Sequence, residues 1–306
     1  MHDGSRKAVF AALFANLGIA VAKFVGFLIT SSAGLLAESV HSLADSGNQA
    51  LLLLGGSRAR RKATPEHPFG YGRERYFWAF VVALVLFSMG GLFALYEGIE
   101  KFRHPHEVES LWVAIGILVF AIVLETISLR TAVVESNRVK RKDQSWWRFI
   151  RTSKQPELPV VLLEDIGAEC GLFFALFGVI MAKATGNPRW DAAGSIAIGV
   201  LLVVIAIVLA IEMKGLLIGE GAAPDVQNSI VTALTDDTAV HRLIHLRTEH
   251  IGPDELLVAA KVEFDPALSV SELASAINAT EARVRHAVPI ARIIYLEPDL
   301  MHVAPA

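Results

Sequence analysis

Apolar residues run in six long blocks, each close to the ~20 residues that a helix needs to cross a bilayer. They cover roughly 8–29, 33–55, 77–98, 111–129, 158–182 and 192–211. Only Thr30-Ser31-Ser32 separates the first two, which predicts a tight antiparallel hairpin. After about residue 219 the period changes. Pro224 opens a short helix over 225–234. Residues 243–248 and 256–264 read as strands around the turn Gly252-Pro253-Asp254. Ser269, three residues before Glu272, caps a second helix that runs to about 287, and 293–296 closes as a third strand. The order is α-β-β-α-β. The pattern thus predicts a six-helix membrane domain over 1–218 and a small α+β domain over 219–306.

Composition narrows the class. The 306 residues are 53% hydrophobic and 19% charged, with a mean hydropathy of +0.48. Soluble domains sit near about 45–50% apolar and 25% charged, so the chain reads as an integral membrane protein. The formal charge of −3 hides a split: residues from 219 onward carry −7 and those before carry +4. No basic run dominates the whole, which excludes a nucleic-acid partner. The stretch Trp146-Trp147-Arg148-Phe149-Ile150-Arg151 reads as an interfacial anchor. A single cysteine, Cys170, excludes a disulfide framework and a multi-cysteine zinc site. The first apolar block is long and no small-residue cleavage site follows it, so it reads as a span and not as a signal. Fifteen Lys and Arg lie at the amino terminus and in the loops 56–76 and 136–157, against four on the other side. That asymmetry predicts a multi-pass protein with both termini in the cytoplasm.

Charges inside the spans carry the chemistry. Ionisable residues there are costly, and they face a bundle interior or a water cavity. The second block holds Glu38, His41, Asp45 and Asn48, whose spacings of three, four and three put them on one helical face. The fifth holds Glu164, Asp165 and Glu169. At a rise of about 1.5 Å per residue, Asp45 and Asp165 both lie about 10–12 Å from the same membrane edge. At that depth Lys23 is the one nearby cation. Several carboxylates and an imidazole around one cation suit a divalent metal or protons. Imidazole with carboxylate oxygens suits Zn²⁺, and titratable ligands let protons displace it. The alternative use of such residues is to hold helices together by hydrogen bonds.

These residues resemble those of the cation diffusion facilitator family, the zinc-transporter group. The resemblance covers nearly the whole chain. It rests on Glu38-Ser39-Val40-His41-Ser42-Leu43-Ala44-Asp45, on His67-Pro68-Phe69-Gly70-Tyr71-Gly72-Arg73-Glu74-Arg75 and on Leu163-Glu164-Asp165. Gly215-Leu216-Leu217-Ile218-Gly219-Glu220 and the α-β-β-α-β tail complete it. The resemblance implies a homodimer, joined through a cytoplasmic ferredoxin-like domain, that exports divalent metal in exchange for protons. It implies metal ligands at His41, Asp45 and Asp165. The family's fourth ligand position falls on Val161, so either the site keeps three protein ligands and a water, or Glu164, three residues on, completes it; Glu164 is the substitute we favour. Where some members bind metal in the loop after the second span, His67 matches one ligand and Tyr71 replaces another. Where some carry a two-metal cluster in the tail, this chain has Ile244, Ala260 and Tyr295, with Glu297 the one carboxylate, so no tail cluster is expected. His241, His245 and His250 read as surface histidines.

The reading is therefore a zinc/proton exchanger of the bilayer, with no resident cofactor. Iron, manganese, cobalt, nickel and cadmium remain open as cargo. Two rivals stay in view: a non-transporting regulator or scaffold, which Val161 favours, and an intramembrane metal hydrolase. The second lacks a Glu-x-x-His or paired-histidine signature.

Overall fold

A computed structural model describes residues 3–30, 33–105 and 111–300, without the side chains of 3–5, 27, 29, 30, 33–38, 40, 41, 44 and 111. Helix α1 spans Asp3–Thr30 and α2 Ala33–Arg58. A π-helical segment, Leu86–Leu92, joins α3 (Glu74–Val85) to α4 (Phe93–Arg103). Then follow α5 (Leu111–Val139), α6 (Trp146–Thr152), α7 (Glu157–Thr185) and α8 (Arg189–Ile218). Among the described residues, four stretches are long and apolar enough to cross a membrane: Arg6–Gly26, Glu74–Arg103, Trp112–Val139 and Arg189–Ile218. The chain forms two compact units: the residues to Arg58 with Glu74–Lys214, and Ala59–Arg73 with the residues from Gly215.

In the first unit α1 packs against α2, α5 and α7, and α3 packs against α2 and α7. Alongside an apolar interior it buries a set of polar residues and exposes large apolar ones. Asn48, Gln49, Glu125, Glu164 and Asp165 are buried, while Phe14, Phe173, Phe177, Val204 and Ile211 are exposed. In water that arrangement would waste the hydrophobic effect; against lipid, exposed apolar side chains cost nothing and buried polar groups find partners.

Glycines set the contact between α3–α4 and α8. A Cβ added at Gly91 would lie 2.6 Å from Val203 Cγ2 and 3.0 Å from its backbone nitrogen. One at Gly98 would lie 2.8 Å from the Ile196 nitrogen, and one at Gly199 2.7 Å from the Leu95 nitrogen. Small residues let the two backbones touch, the favoured packing where lipid removes the hydrophobic drive. Gly91→Leu is expected to force them apart and to cost about 1–3 kcal/mol, the usual price of overpacking. Thermal unfolding in detergent measures it; an unchanged midpoint would mean that α8 yields freely.

Helix α5 and the anchor segment both differ from the pattern-based expectation. Helix α5 runs ten residues past its apolar block, because 130–139 contains no breaker and buries Ala132, Glu135 and Ser136. The anchor segment is itself a helix, α6. Ser145 caps it by accepting from the Arg148 N–H at 3.2 Å, Phe149 and Ile150 are buried, and Trp147 is exposed.

In the second unit α9 (Pro224–Thr235), β1 (Val240–Gly252), β2 (Glu255–Phe264), α10 (Val270–Ala287) and β3 (Ala291–Pro298) follow the expected order. The sheet order is β1-β2-β3, with β1 antiparallel and β3 parallel to β2. Strand β2 buries every second residue, Leu256 through Phe264, against Ile230 and Leu234 of α9 and Val284 of α10. Ser269 and Glu272 form a reciprocal capping box. The Ser269 hydroxyl, with its backbone N–H, holds the Glu272 carboxyl below the usual carboxylate range. That stabilisation is therefore present near neutral pH and is lost as acid protonates the group.

Strand β1 is about twice as long as expected because register shifts at 240–242, 243–245 and 250–252 interrupt its two-residue alternation. Between the second and third shifts the pairing is regular and sets His250 opposite buried Leu256, at 4% exposure, so the surface reading fails for it; His241 and His245 are exposed. The 59–73 loop belongs to this same unit. A Cβ at Gly72 would meet the Ile251 carbonyl oxygen at 2.7 Å, and Arg73 pairs with Glu249. His67 stands edge-on to Tyr71 at 4.6 Å between centroids, and Arg61 lies 4.7 Å over the Tyr71 ring.

Candidate cation site

Asp45, Asn48 and Gln49 lie within about one turn of α2, and Glu164, Asp165 and Glu169 within about one turn of α7. The two helices meet through amide–carboxylate bonds. Asn48 Nδ2 donates to Glu164 Oε1 at 3.1 Å, and Gln49 Nε2 donates to Oε2 at 2.8 Å. Helix α5 holds the other two acids: Ser128 Oγ donates to Asp165 Oδ2 at 2.8 Å and Thr126 Oγ1 to Glu169 Oε1 at 2.9 Å. Lys23 of α1, 6% exposed, donates to Ser42 Oγ at 3.0 Å. Val161 is fully buried and offers no donor atom.

A cavity of about 280 Å³ runs through this unit. Lys23, Ser42, Asp45, Glu125 and Glu164 line it, and it reaches Glu97, Lys101 and Asp191 near the ends of α4 and α8. Lys101 sits 3.1 Å from Glu97 and 3.7 Å from Asp191 there. Around the acids, acceptors outnumber donors. Asn48 Oδ1, Gln49 Oε1 and Glu169 Oε2 are buried without a hydrogen bond. Such an interior, rich in oxygen acceptors and poor in protons, suits a cation.

Of the sequence-derived ligands, Asp45 and Glu164 share the cavity, and Asp165 is buried beside Glu164 with its carboxylate fixed by Ser128. The His41 side chain lies outside the described residues. Among the described residues, no three His, Cys, Asp or Glu side chains close into a metal cage. Three participants were not anticipated: Thr126, Ser128 and Glu125, all on α5. Glu125 carried a legible signal, an acid within the fourth apolar block. Ser128 and Thr126 carried none, since hydroxyls are common within spans.

A polar, acid-lined cavity among helices with apolar outer faces is a site suited to a cation inside a membrane protein. Residues 9–218 match the Cation efflux transmembrane domain, and the chain belongs to the cation diffusion facilitator family, which are transporters and not enzymes. It is 32% identical over 263 residues to the human proton-coupled zinc antiporter SLC30A9, mitochondrial, covering 86% of this chain and 46% of that protein. It is 30% identical over 262 residues to metal tolerance protein C4 of Arabidopsis thaliana, covering 85% and 57%. Magnetosome protein MamB of Magnetospirillum gryphiswaldense is 24% identical over 296 residues, covering 96% and 94%. The chain thus spans about half the length of the zinc-antiporter relatives that it matches.

Proposed function

We propose that this protein exports a divalent metal ion, zinc first among them, from the cytoplasm in exchange for protons. In this reading α2 and α7 join the four apolar stretches to make six spans, with both termini cytoplasmic. Residues 1–218 form the transport domain, and 219–306 form a ferredoxin-like domain that pairs two copies. The cation binds between α2 and α7 on His41, Asp45, Asp165 and Glu164. The observation that carries the reading is the meeting of Asn48 and Gln49 with Glu164 beside an Asp45-lined cavity inside apolar helices. The names of the zinc-antiporter relatives support both the cargo and the proton coupling.

Glu164 is suited to stand in for the missing ligand at Val161. A carboxylate has about four lone-pair positions, so two amide donors orient it and leave the others for a metal. Proton coupling follows from ligand chemistry. Imidazole and carboxylates bind metal only when deprotonated, so metal arriving from one side displaces protons that entered from the other.

Purified protein in liposomes under a pH gradient tests the whole reading. Zinc should accumulate against the proton gradient, and apparent zinc affinity should weaken as pH falls from about 8 to about 6. Metal binding without gradient-driven uptake would support the scaffold reading instead, which Val161 favours. Affinity flat across that range would remove the exchanger.

A further inference from the structure

Glu125 has no role in the site as drawn from α2 and α7, yet it is the acid most in need of one. It sits in the middle of α5 and is 2% exposed. It lines the same cavity as Asp45 and Glu164. Its neighbours Asp165 and Glu169 each hold a hydroxyl donor from α5, and Glu164 holds two amides. Glu125 itself accepts no hydrogen bond from any described residue. Asp45, Glu164, Asp165 and Glu169 surround it with charges of its own sign, and Lys23 is the cation that lines the same cavity.

A carboxyl in that position is expensive to bury and does nothing to join helices, because it bonds to none of them. A structural polar residue would look like Ser128 or Asn48, each with a partner across a helix contact. An unpartnered carboxylate facing a cavity beside two other acids is instead what a cation requires: a negative oxygen donor free to approach it.

We propose that Glu125 is a cation-binding carboxylate, so that the site draws ligands from α2, α5 and α7 and not from two helices alone. This rests on the transport reading above. The added donor is a hard oxygen. It strengthens the hold on oxygen-preferring ions such as Mn²⁺ more than on Zn²⁺, for which an imidazole supplies much of the affinity. Glu125 thus acts as a selectivity residue as well as a ligand. It also gives a site lacking a donor at Val161 a further coordinating group from another direction.

The test is titration of the purified full chain with Mn²⁺ and with Zn²⁺, in wild type, Glu125→Gln and Asp45→Ala. Glutamine keeps the size and polarity of the side chain and removes its charge, so it separates a ligand from a neutral filler. Glu125→Gln should weaken Mn²⁺ binding at least tenfold and Zn²⁺ binding by a smaller factor, with an unchanged melting midpoint. Wild-type affinity for both ions would overturn the proposal. If Glu125→Gln does not fold, Glu125→Asp retains the charge but withdraws it by one methylene. It should bind Mn²⁺ more weakly than wild type, and equal binding would again overturn the proposal. The Asp45→Ala arm separates the two readings. Loss of binding there with none at position 125 removes only the role of Glu125, whereas no loss in either variant removes the site as a whole.

Discussion

Replacing Glu157 by alanine should destabilise the protein by about 3–5 kcal/mol, the usual effect of breaking a buried ion pair by removing one partner. Glu157 begins α7 and Arg75 lies at the start of α3; they are 1% and 3% exposed. The guanidinium grips the carboxylate with two parallel bonds, Nε to Oε1 and Nη2 to Oε2, the second at 2.8 Å. The geometry is bidentate and planar, which lysine could not reproduce. The pair need not be worth much against an apolar replacement. Arg75→Met with Glu157→Leu should therefore recover most of the loss, because desolvating two charges offsets much of their attraction. Denaturation of both variants beside wild type, in detergent, checks the two statements. Glu157→Ala as stable as wild type would show that the Arg75 charge is accommodated without the carboxylate.

Asp45→Ala and Asp165→Ala should each reduce transport to background and weaken zinc binding at least tenfold, about 1.4 kcal/mol. Both should leave the protein folded. Asp45 lines the cavity and is half-buried, and Asp165 holds a single tie, the bond from Ser128, whereas Glu164 takes two amide bonds across α2 and α7. Glu164→Gln should behave differently. Its new amide nitrogen would face one of the two amide donors from Asn48 and Gln49. The variant would lose a bond between α2 and α7 along with a ligand charge, and its melting midpoint should fall together with zinc affinity. Binding isotherms read beside thermal unfolding separate the two patterns. Wild-type transport in either aspartate variant would place the cation elsewhere.

Much of this architecture was legible along the chain, and for local reasons. A run of about 20 apolar residues has few fates other than a span, so the helices appear where the blocks are. The capping box at Ser269 and the turn at Gly252-Pro253-Asp254 depend on neighbours a few residues away, and both occur where the sequence indicates. The acids of α2 and α7 stood out because apolar surroundings make a charge conspicuous. Partnership was not legible. Nothing near Glu157 in sequence distinguishes its buried bond to Arg75 from an ordinary loop charge 82 positions away. Glu164 was legible as a candidate ligand, but not as the acid that Asn48 and Gln49 hold. That His250 lies opposite Leu256, on the face that β2 buries, follows from pairing with β2 and is not revealed by β1 alone. The sequence by itself determined which segments leave water and which residues are costly there. Only the tertiary structure decided which of those residues meet, because hydrogen bonds and ion pairs act over about 3 Å in space, whatever their separation along the chain.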